Sequence, residues 1–160
     1  MAIYLTYGEI VGNVTAEGFV DHIKVEACNF GIARGIDMEA GNMSNREACR
    51  PVLSEFNFTH KADNSVTEFF NESVTGSKGT TAVFKFVQTG TDAVEEFMSY
   101  ELLDCLVSGY SISADATGDP IENISLSYSQ INVNYYDFDK TNKGASPKRR
   151  GYDLTTAKPL

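Results

Sequence analysis

The residue types that most often carry chemistry are sparse in this sequence, and their spacing forms no familiar site. Two histidines occur, His22 and His60, and both lie in strand-like segments without a second histidine or a cysteine at ligand spacing. The sequence contains neither a CxxC nor an HExxH motif. Because zinc sites are built from such ligand clusters, we predict no metal site and no cofactor.

The three cysteines, Cys28, Cys49 and Cys105, are odd in number and far apart in the chain. This pattern is typical of reduced thiols in a reducing compartment, not of a disulfide framework. Cys28 and Cys105 lie in strand-like segments, so we expect them to be small core residues. A cysteine nucleophile would need a histidine that the fold brings next to its thiol. A serine nucleophile is not indicated either, because the sequence contains no GxSxG motif.

Acidic pairs are the remaining candidates for catalysis. Asp37 with Glu39, or Glu95 with Glu96, resembles the carboxylate pair of a glycosidase. With 22 acidic residues among 160, however, neighbouring carboxylates are expected without any catalytic purpose. The Gly-Ser-Lys-Gly run at 76–79 lacks phosphate-loop spacing and is typical of a turn after a helix. We therefore predict that the protein has no catalytic residue and is not an enzyme. A hydrolase that uses acidic residues near the 35–50 loop ranks third among the hypotheses considered.

The net charge of −9 is unevenly distributed along the chain. Residues 1–139 hold 7 basic and 21 acidic side chains, a net charge of −14, whereas residues 140–160 hold 6 basic and 1 acidic, a net charge of +5. An acidic body repels phosphates, and Lys148–Arg150 is too small a basic cluster to predict nucleic-acid binding. The basic end is either a solvated tail or a segment that docks on the acidic face of a neighbouring copy.

The first residues have no basic region followed by an apolar stretch, which a signal peptide would need. No segment approaches the roughly 18 apolar residues that span a bilayer. We therefore expect a protein that is made in the cytoplasm and has no membrane partner. Any export would use a route that does not depend on a signal peptide.

Alternation of apolar and polar residues dominates the sequence and predicts strands. The pattern occurs in four segments, which are 22–28, 80–89, 94–113 and 121–136. Around 102–107 apolar residues occupy both the even and the odd positions, which indicates a central strand covered on both faces. In the last segment the apolar parity changes near Ser129–Gln130, so a bulge or sharp bend is required there. A strand that bends in this way curls a sheet into a barrel or crosses between two packed sheets.

One helix is predicted over residues 64–74, between the strand segments 22–28 and 80–89. Asp63, Asn64 and Ser65 supply capping oxygens, Ser65 and Glu68 have the spacing of a capping box, and Gly76 is placed to end the helix. An apolar stripe at helical spacing is expected to pack on the sheet. Its members are Val66, Phe69, Phe70 and Val74.

The segment 31–50 is rich in glycine and asparagine and has few apolar residues after Met38. A connection of this length is usually functional or disordered. Together these patterns predict one mainly β domain over 1–160 with one α-helix, in which a sheet either curls into a barrel or crosses between two packed sheets. A long loop at about 35–50 is expected to protrude, and a basic tail occupies 140–160.

The order of several segments resembles the haemolysin-coregulated protein (Hcp) family. The resemblance is carried by the stretches 100–111, 122–131 and 54–59, the last followed by the capped helix, and by the ending Gly151-Tyr152-Asp153-Leu154. It spans essentially the whole chain. No single motif is diagnostic, and the specificity lies in the order and spacing of the segments.

The Hcp family forms the inner tube of the bacterial type VI secretion system, a contractile machine related to phage tails. The resemblance implies a curled two-sheet β-barrel with one flanking α-helix. It further implies homohexameric rings that stack into a hollow tube, with sheath and spike proteins as further partners. It also implies secretion by that system and small effector proteins that are chaperoned in the lumen. The long loop is expected to reach neighbouring subunits, as it does in the family.

Two segments are predicted to contact neighbouring copies, the long loop and the basic tail. Within them, Arg46 and Arg149 are the first candidates to pair with acids of the next copy. The full predicted set is Asn42, Asn45, Arg46, Glu47, Arg149 and Tyr152.

The alternative to an assembling subunit is a monomeric β-barrel that holds one small apolar ligand. Such a barrel needs a hollow interior. The sequence disfavours it, because several bulky side chains are expected to fill the centre. They are Phe84, Phe86, Leu106 and Tyr128.

Overall fold

The computed structural model describes residues 1–41, 49–89, 94–137 and 146–160. The fold is mainly β with one helix, as predicted. The first six elements are β1 (Ala2–Tyr7), β2 (Ile23–Val25), β3 (Ala27–Asn29), β4 (Ile32–Ala33), β5 (Val52–Leu53) and β6 (Phe56–Lys61). They are followed by α1 (Val66–Thr75), β7 (Thr80–Thr89), β8 (Val94–Ser113), β9 (Ile121–Ser127), β10 (Gln130–Tyr135), β11 (Lys148–Asp153) and β12 (Lys158–Pro159).

Ten of the strands form two antiparallel sheets that share β8, and β4 and β5 form a separate two-stranded ladder. Sheet A has the order β12-β11-β10-β8-β7-β1-β2, and sheet B has the order β3-β6-β9-β8. The first part of β8 pairs with β7 and β10, and its last part pairs with β9. The sheets meet again at 23–29, where β2 pairs with β1 and β3 with β6. The predicted closed barrel is not confirmed, because neither sheet returns to its first strand.

A bulge in β8 explains why both parities are apolar around 102–107. Thr80 pairs with Cys105 and Ala82 with Leu102, so two residues of β8 lie opposite one residue of β7. Asp104 in this bulge has a left-handed φ of 59°. The extra residue turns both Leu102 and Cys105 toward the core, where each is fully buried. The pattern therefore marks a change of face and not a strand covered on both sides.

The bend predicted near Ser129–Gln130 is confirmed. β9 ends at Ser127 and β10 begins at Gln130, and the two strands belong to different sheets. The backbone N–H of Ser129 donates to the Leu103 carbonyl at 3.0 Å, which holds the bend against β8. The change of apolar parity in the sequence therefore corresponds to a crossing from sheet B to sheet A.

The helix is confirmed, and of its predicted capping residues Asp63 holds the start of the helix, whereas the Ser65 cap is not formed. The Ser65 side chain makes no capping hydrogen bond to the helix. It donates instead to the Asp63 carboxylate, which also accepts from the Ser65 backbone N–H at 2.8 Å. The aspartate two residues earlier thus holds the start of the helix in an Asx turn. The helix ends at Gly76, whose N–H donates to the Glu72 carbonyl at 3.0 Å.

The apolar stripe of the helix is only partly buried. Phe69 is fully buried and packs against Tyr7 and Phe58, with ring centroids 5.5 and 5.8 Å apart. Phe70 and Val74 remain 57% and 68% exposed. The prediction that the whole stripe packs on the sheet is wrong, since Val74 is mostly exposed and Phe70 meets the sheet only at its edge, where its ring centroid lies 5.9 Å from that of Tyr110.

The space between the sheets is filled by aromatic rings. The Phe84 ring lies 4.4 Å from that of Phe56 and 5.4 Å from that of Phe58, and all three side chains are buried. Phe86 is buried as well, while Tyr128 is half-buried. A packed aromatic centre offers no room of the kind that a ligand-binding barrel requires.

Candidate assembly surfaces

The basic end of the chain folds back on its own sheet. β11 pairs with β10 in antiparallel register, with Tyr152 opposite Ile131 and Arg149 opposite Asn134. β12 then pairs with β11 and forms the edge of sheet A. Lys148, Arg149 and Arg150 are all exposed. The end of the chain therefore presents a basic edge to its surroundings.

Gly151 allows this edge to pack closely. A Cβ at this position would lie 2.1 Å from the Asn132 Oδ1 and 2.9 Å from the Ile131 carbonyl oxygen. Asn132 is buried, and its amide donates to the Glu101 carboxylate at 3.3 Å. The Asn132 side chain therefore occupies the space over Gly151, and a larger residue would have to displace it.

We expect Gly151→Ala to lower the free energy of unfolding by about 1–3 kcal/mol, because overpacking forces backbone shifts. Urea denaturation followed by circular dichroism would measure the change. Gly31→Ala is the matched control, since a Cβ there meets no atom within 4 Å. Equal stability of the two variants would show that β10 and β11 accommodate the methyl group.

Arg149 has an acidic partner in its own chain. Its guanidinium donates to the Glu101 carboxylate at 3.2 Å, with the two side chains 62% and 30% exposed. An exposed pair of this kind contributes at most about 1 kcal/mol to stability. Arg149 was predicted to pair with an acid of the next copy, and that contact stays a prediction. The weak internal pair leaves exchange of partners energetically feasible.

Tyr152 lines a shallow groove of about 200 Å³ on the surface. Phe30 and Tyr100 form part of the groove, with ring centroids 5.4 Å apart, and Arg150 lies at its border. Tyr152 is half-buried and packs against the core. The groove is therefore largely apolar with a basic residue beside it.

The base of the long loop is a short ladder. β4 pairs with β5, and the Cys49 N–H donates to the Gly35 carbonyl at 2.9 Å. Ile32 and Val52 on this ladder are 59% and 70% exposed. The four predicted contact residues of the loop, Asn42, Asn45, Arg46 and Glu47, lie outside the described residues. Their role remains a prediction.

A buried pair of titratable side chains was not predicted from the sequence. His60 on β6 and Glu122 on β9 are both fully buried, with Nε2 and Oε1 3.1 Å apart. Asp63 lies on the other side of the imidazole, 3.9 Å from Nδ1. Burial and the neighbouring Glu122 carboxylate raise the pKa of Tyr110 to about 12. Because the pair is closed to solvent, its placement suits a structural role.

The other reactive groups are dispersed. Burial raises the pKa of the Cys105 thiol to about 12 and also raises that of Cys28, so neither is an activated nucleophile. Asp37 and Glu39 are both exposed, and the Glu39 N–H donates to Asp37 at 3.2 Å. Within the described ranges, no three His, Cys, Asp or Glu side chains are grouped to hold a metal ion. In that same part of the chain, no helix is long and apolar enough to cross a membrane.

These features define a two-sheet β domain with one helix, a long loop and an exposed basic edge, and solved structures of the same fold exist. A structure of a type six secretion system protein matches with a TM-score of 0.91 and 21% identity, covering 99% of each chain. Hcp1 from Salmonella typhimurium matches with a TM-score of 0.76 and 18% identity, covering 99% of this chain and 98% of its own. A type VI secretion system effector from Yersinia pestis gives 0.75 and 16%, covering 94% and 98%.

The family model described as type VI secretion system effector, Hcp, matches residues 4–135. The chain therefore belongs to the Hcp family, as the resemblance predicted. No curated protein matches the sequence.

Proposed function

We propose that this chain is a subunit of the inner tube of a type VI secretion system. Six copies would close into a ring, and rings would stack into a hollow tube. The observation that carries the proposal is the Hcp family match over 4–135, together with the same fold in Hcp structures. A ring needs a heterologous interface, in which two different surfaces of each copy meet after a fixed rotation.

The contacts are assigned to the loop and the basic edge. Ile32 and Val52 expose apolar area at the loop base, and Ile32 also lines the groove beside Tyr152. The loop base and the groove therefore form one apolar patch that a neighbouring copy would cover. Arg149 would exchange Glu101 for an acid of the next copy, or bind both. The loop residues Asn42, Asn45, Arg46 and Glu47 complete the proposed set.

Light scattering coupled to size exclusion tests the ring. We expect a species of six times the 17.5 kDa of one chain, and negative-stain images should show hollow rings. Arg149→Glu should shift the equilibrium toward smaller species, because it places a negative charge beside acids. Lys158→Glu, on β12 of the same edge, is the control for net charge. A strictly monomeric protein at high concentration would exclude the tube subunit.

The remaining features of the proposal concern export. The chain would be made in the cytoplasm and leave the cell through the type VI apparatus, with sheath and spike proteins as partners and small effectors carried in the lumen. It would act without catalysis. Detection of the protein in the medium of cells with an intact secretion apparatus, and its absence when the apparatus is inactive, would support this route.

A further inference from the structure

The helix leaves an apolar patch uncovered on the surface. Phe70 and Val74 lie one turn apart on α1 and are 57% and 68% exposed. The Phe70 ring contacts the edge of the Tyr110 ring, with the two centroids 5.9 Å apart. Ile112 follows Tyr110 on the same face of β8 and is 51% exposed. We call these four side chains the helix patch. It is an apolar face that the described part of the chain leaves open to a partner.

The segments that carry and adjoin the helix patch are acidic. The segment 62–77, which contains α1, has three acidic side chains and no lysine or arginine. The turn 114–120, which follows β8, has two acidic side chains and again no basic one, so the two segments carry a net charge of −5. The Ala62 N–H donates to the Pro120 carbonyl at 2.9 Å, which holds the turn beside the start of the helical segment. The five acidic residues are Asp63, Glu68, Glu72, Asp115 and Asp119.

The groove beside Tyr152 has the opposite charge. Its lining is largely apolar, with the rings of Phe30 and Tyr100 in edge contact, and its volume of about 200 Å³ gives room for one aromatic side chain. Arg150 borders the groove. Residues 148–160 hold four basic side chains and one acidic side chain, a net charge of +3. The groove therefore combines apolar area with positive charge, whereas the helix patch combines apolar area with negative charge.

The charges decide which surfaces of two copies can meet. A twofold contact of patch with patch would bring two acidic segments together, and a contact of groove with groove would bring two basic edges together. Like-charge repulsion opposes both contacts. A contact of patch with groove brings opposite charges together and covers apolar area on both sides. Such a contact joins two different surfaces, which is the kind of interface that a ring requires.

We infer that the helix patch of one copy docks in the groove of the next copy, with Phe70 as the anchor and Arg150 facing the acidic segments around α1. The inference rests on the proposed function and supplies the second surface of the ring contact. Each added copy leaves one patch and one groove free, so the contact repeats until the ring closes. The same charges that attract patch to groove disfavour twofold dimers, which would otherwise end the assembly early.

Chemical cross-linking tests the contact directly. Ile32→Cys, which lines the groove, and Val74→Cys would be combined in a Cys49→Ser background, because Cys49 is exposed. We expect a short bismaleimide to give a ladder of covalent oligomers on a denaturing gel, because each copy is linked to the next. Ile32→Cys with Val20→Cys is the matched control, since Val20 is 58% exposed but lies outside the helix patch. The control and the two single variants should run as monomers.

The results of the cross-linking separate the inference from the proposed function. Rings that form normally but give no ladder with Ile32→Cys and Val74→Cys would overturn the inference and leave the proposed function standing. A covalent dimer from Val74→Cys alone would indicate contact of patch with patch and would also overturn the inference. A parent protein that stays monomeric would remove both proposals.

Phe70→Ala tests the anchor without a cross-linker. Aromatic anchors supply most of the binding energy of an interface, so we expect the protein concentration at half assembly to rise about tenfold or more. Val20→Ala removes an exposed apolar side chain elsewhere and should leave this concentration unchanged. Far-UV circular dichroism of the dissociated chains should show that both variants are folded. Unchanged assembly of Phe70→Ala would contradict docking of the helix patch.

A charge exchange tests the electrostatic part of the contact. Arg150→Glu should weaken assembly at low salt, because the groove would then face acidic segments with a negative charge. Thr67→Lys, which places a cation three residues before Phe70 on the helix surface, should restore part of the assembly in the double variant. Val20→Lys adds the same charge outside the helix patch and should not restore it. Equal restoration by the two lysines would show that net charge governs assembly, and it would overturn the assigned contact.

Discussion

Phe84→Ala is expected to lower the free energy of unfolding by about 3–5 kcal/mol, because the side chain is fully buried between the sheets. Its ring contacts those of Phe56 and Phe58, which lie on the opposite sheet. Removing it leaves a cavity that neighbours on well-paired strands cannot collapse to fill. Urea denaturation, monitored by far-UV circular dichroism, would measure the loss.

Phe70→Ala is the matched control for this prediction. The substitution is the same, but Phe70 is 57% exposed on the helix and contacts Tyr110 at its edge. We expect a loss below about 1 kcal/mol, as is usual for surface positions. Similar losses in the two variants would show that the aromatic centre between the sheets is not what holds them together.

The strand pattern was predictable because alternation is a local property. The segments 80–89 and 94–113 coincide with β7 and β8, and the parity change near Ser129 correctly indicated a bend. The same alternation was misleading at 102–107. There, a bulge and a covered strand give the same apolar pattern, and only the pairing of Thr80 with Cys105 distinguishes them.

The helix shows where local spacing stops being informative. The sequence offers Asp63, Asn64 and Ser65 as capping residues, and spacing alone does not show that Asp63 accepts the hydrogen bonds at the start of the helix while the Ser65 cap is not formed. Phe70 and Val74 have the spacing of a buried stripe, but the helix has only one buried position, Phe69. Which apolar residues are covered depends on how closely the helix approaches the sheets, and that distance is set by tertiary packing.

The assignment of contact residues stays a prediction, for the basic edge as for the loop. The basic edge around Arg149 and Tyr152 was identified from composition and resemblance. The residues that this edge contacts within the chain are Glu101 and Asn132. These contacts depend on the register of β10 with its neighbouring strands, and no local sequence pattern predicts that register. A local sequence pattern does exist for His60 and Glu122, since each stands at a position of its strand where the alternation places inward-facing apolar residues. A charged residue at an inward position requires a partner nearby, and that requirement could have linked them.

The buried pair of His60 and Glu122 leads to a second large effect. The two side chains are fully buried, 3.1 Å apart, and join adjacent strands beneath the start of α1. Removing one partner of a buried pair leaves the other in a low-dielectric site without compensation, which typically costs about 3–5 kcal/mol. We therefore expect His60→Leu to destabilise the protein by that amount in urea denaturation. Asp119→Ala, which breaks the exposed pair with Lys61, should cost less than about 1 kcal/mol.

The double variant His60→Leu with Glu122→Leu separates pairing from packing. Replacement of a buried pair by apolar residues of similar size is often neutral or stabilising, because the desolvation penalty disappears with both charges. We expect the double variant to recover most of the stability that either single variant loses, and a double-mutant cycle would give a large coupling energy. Losses that simply add would mean that the two side chains contribute separately, through their contacts with Phe69 and Tyr110. Recovery would show instead that β6 and β9 are held in register partly by the contact between these two buried side chains.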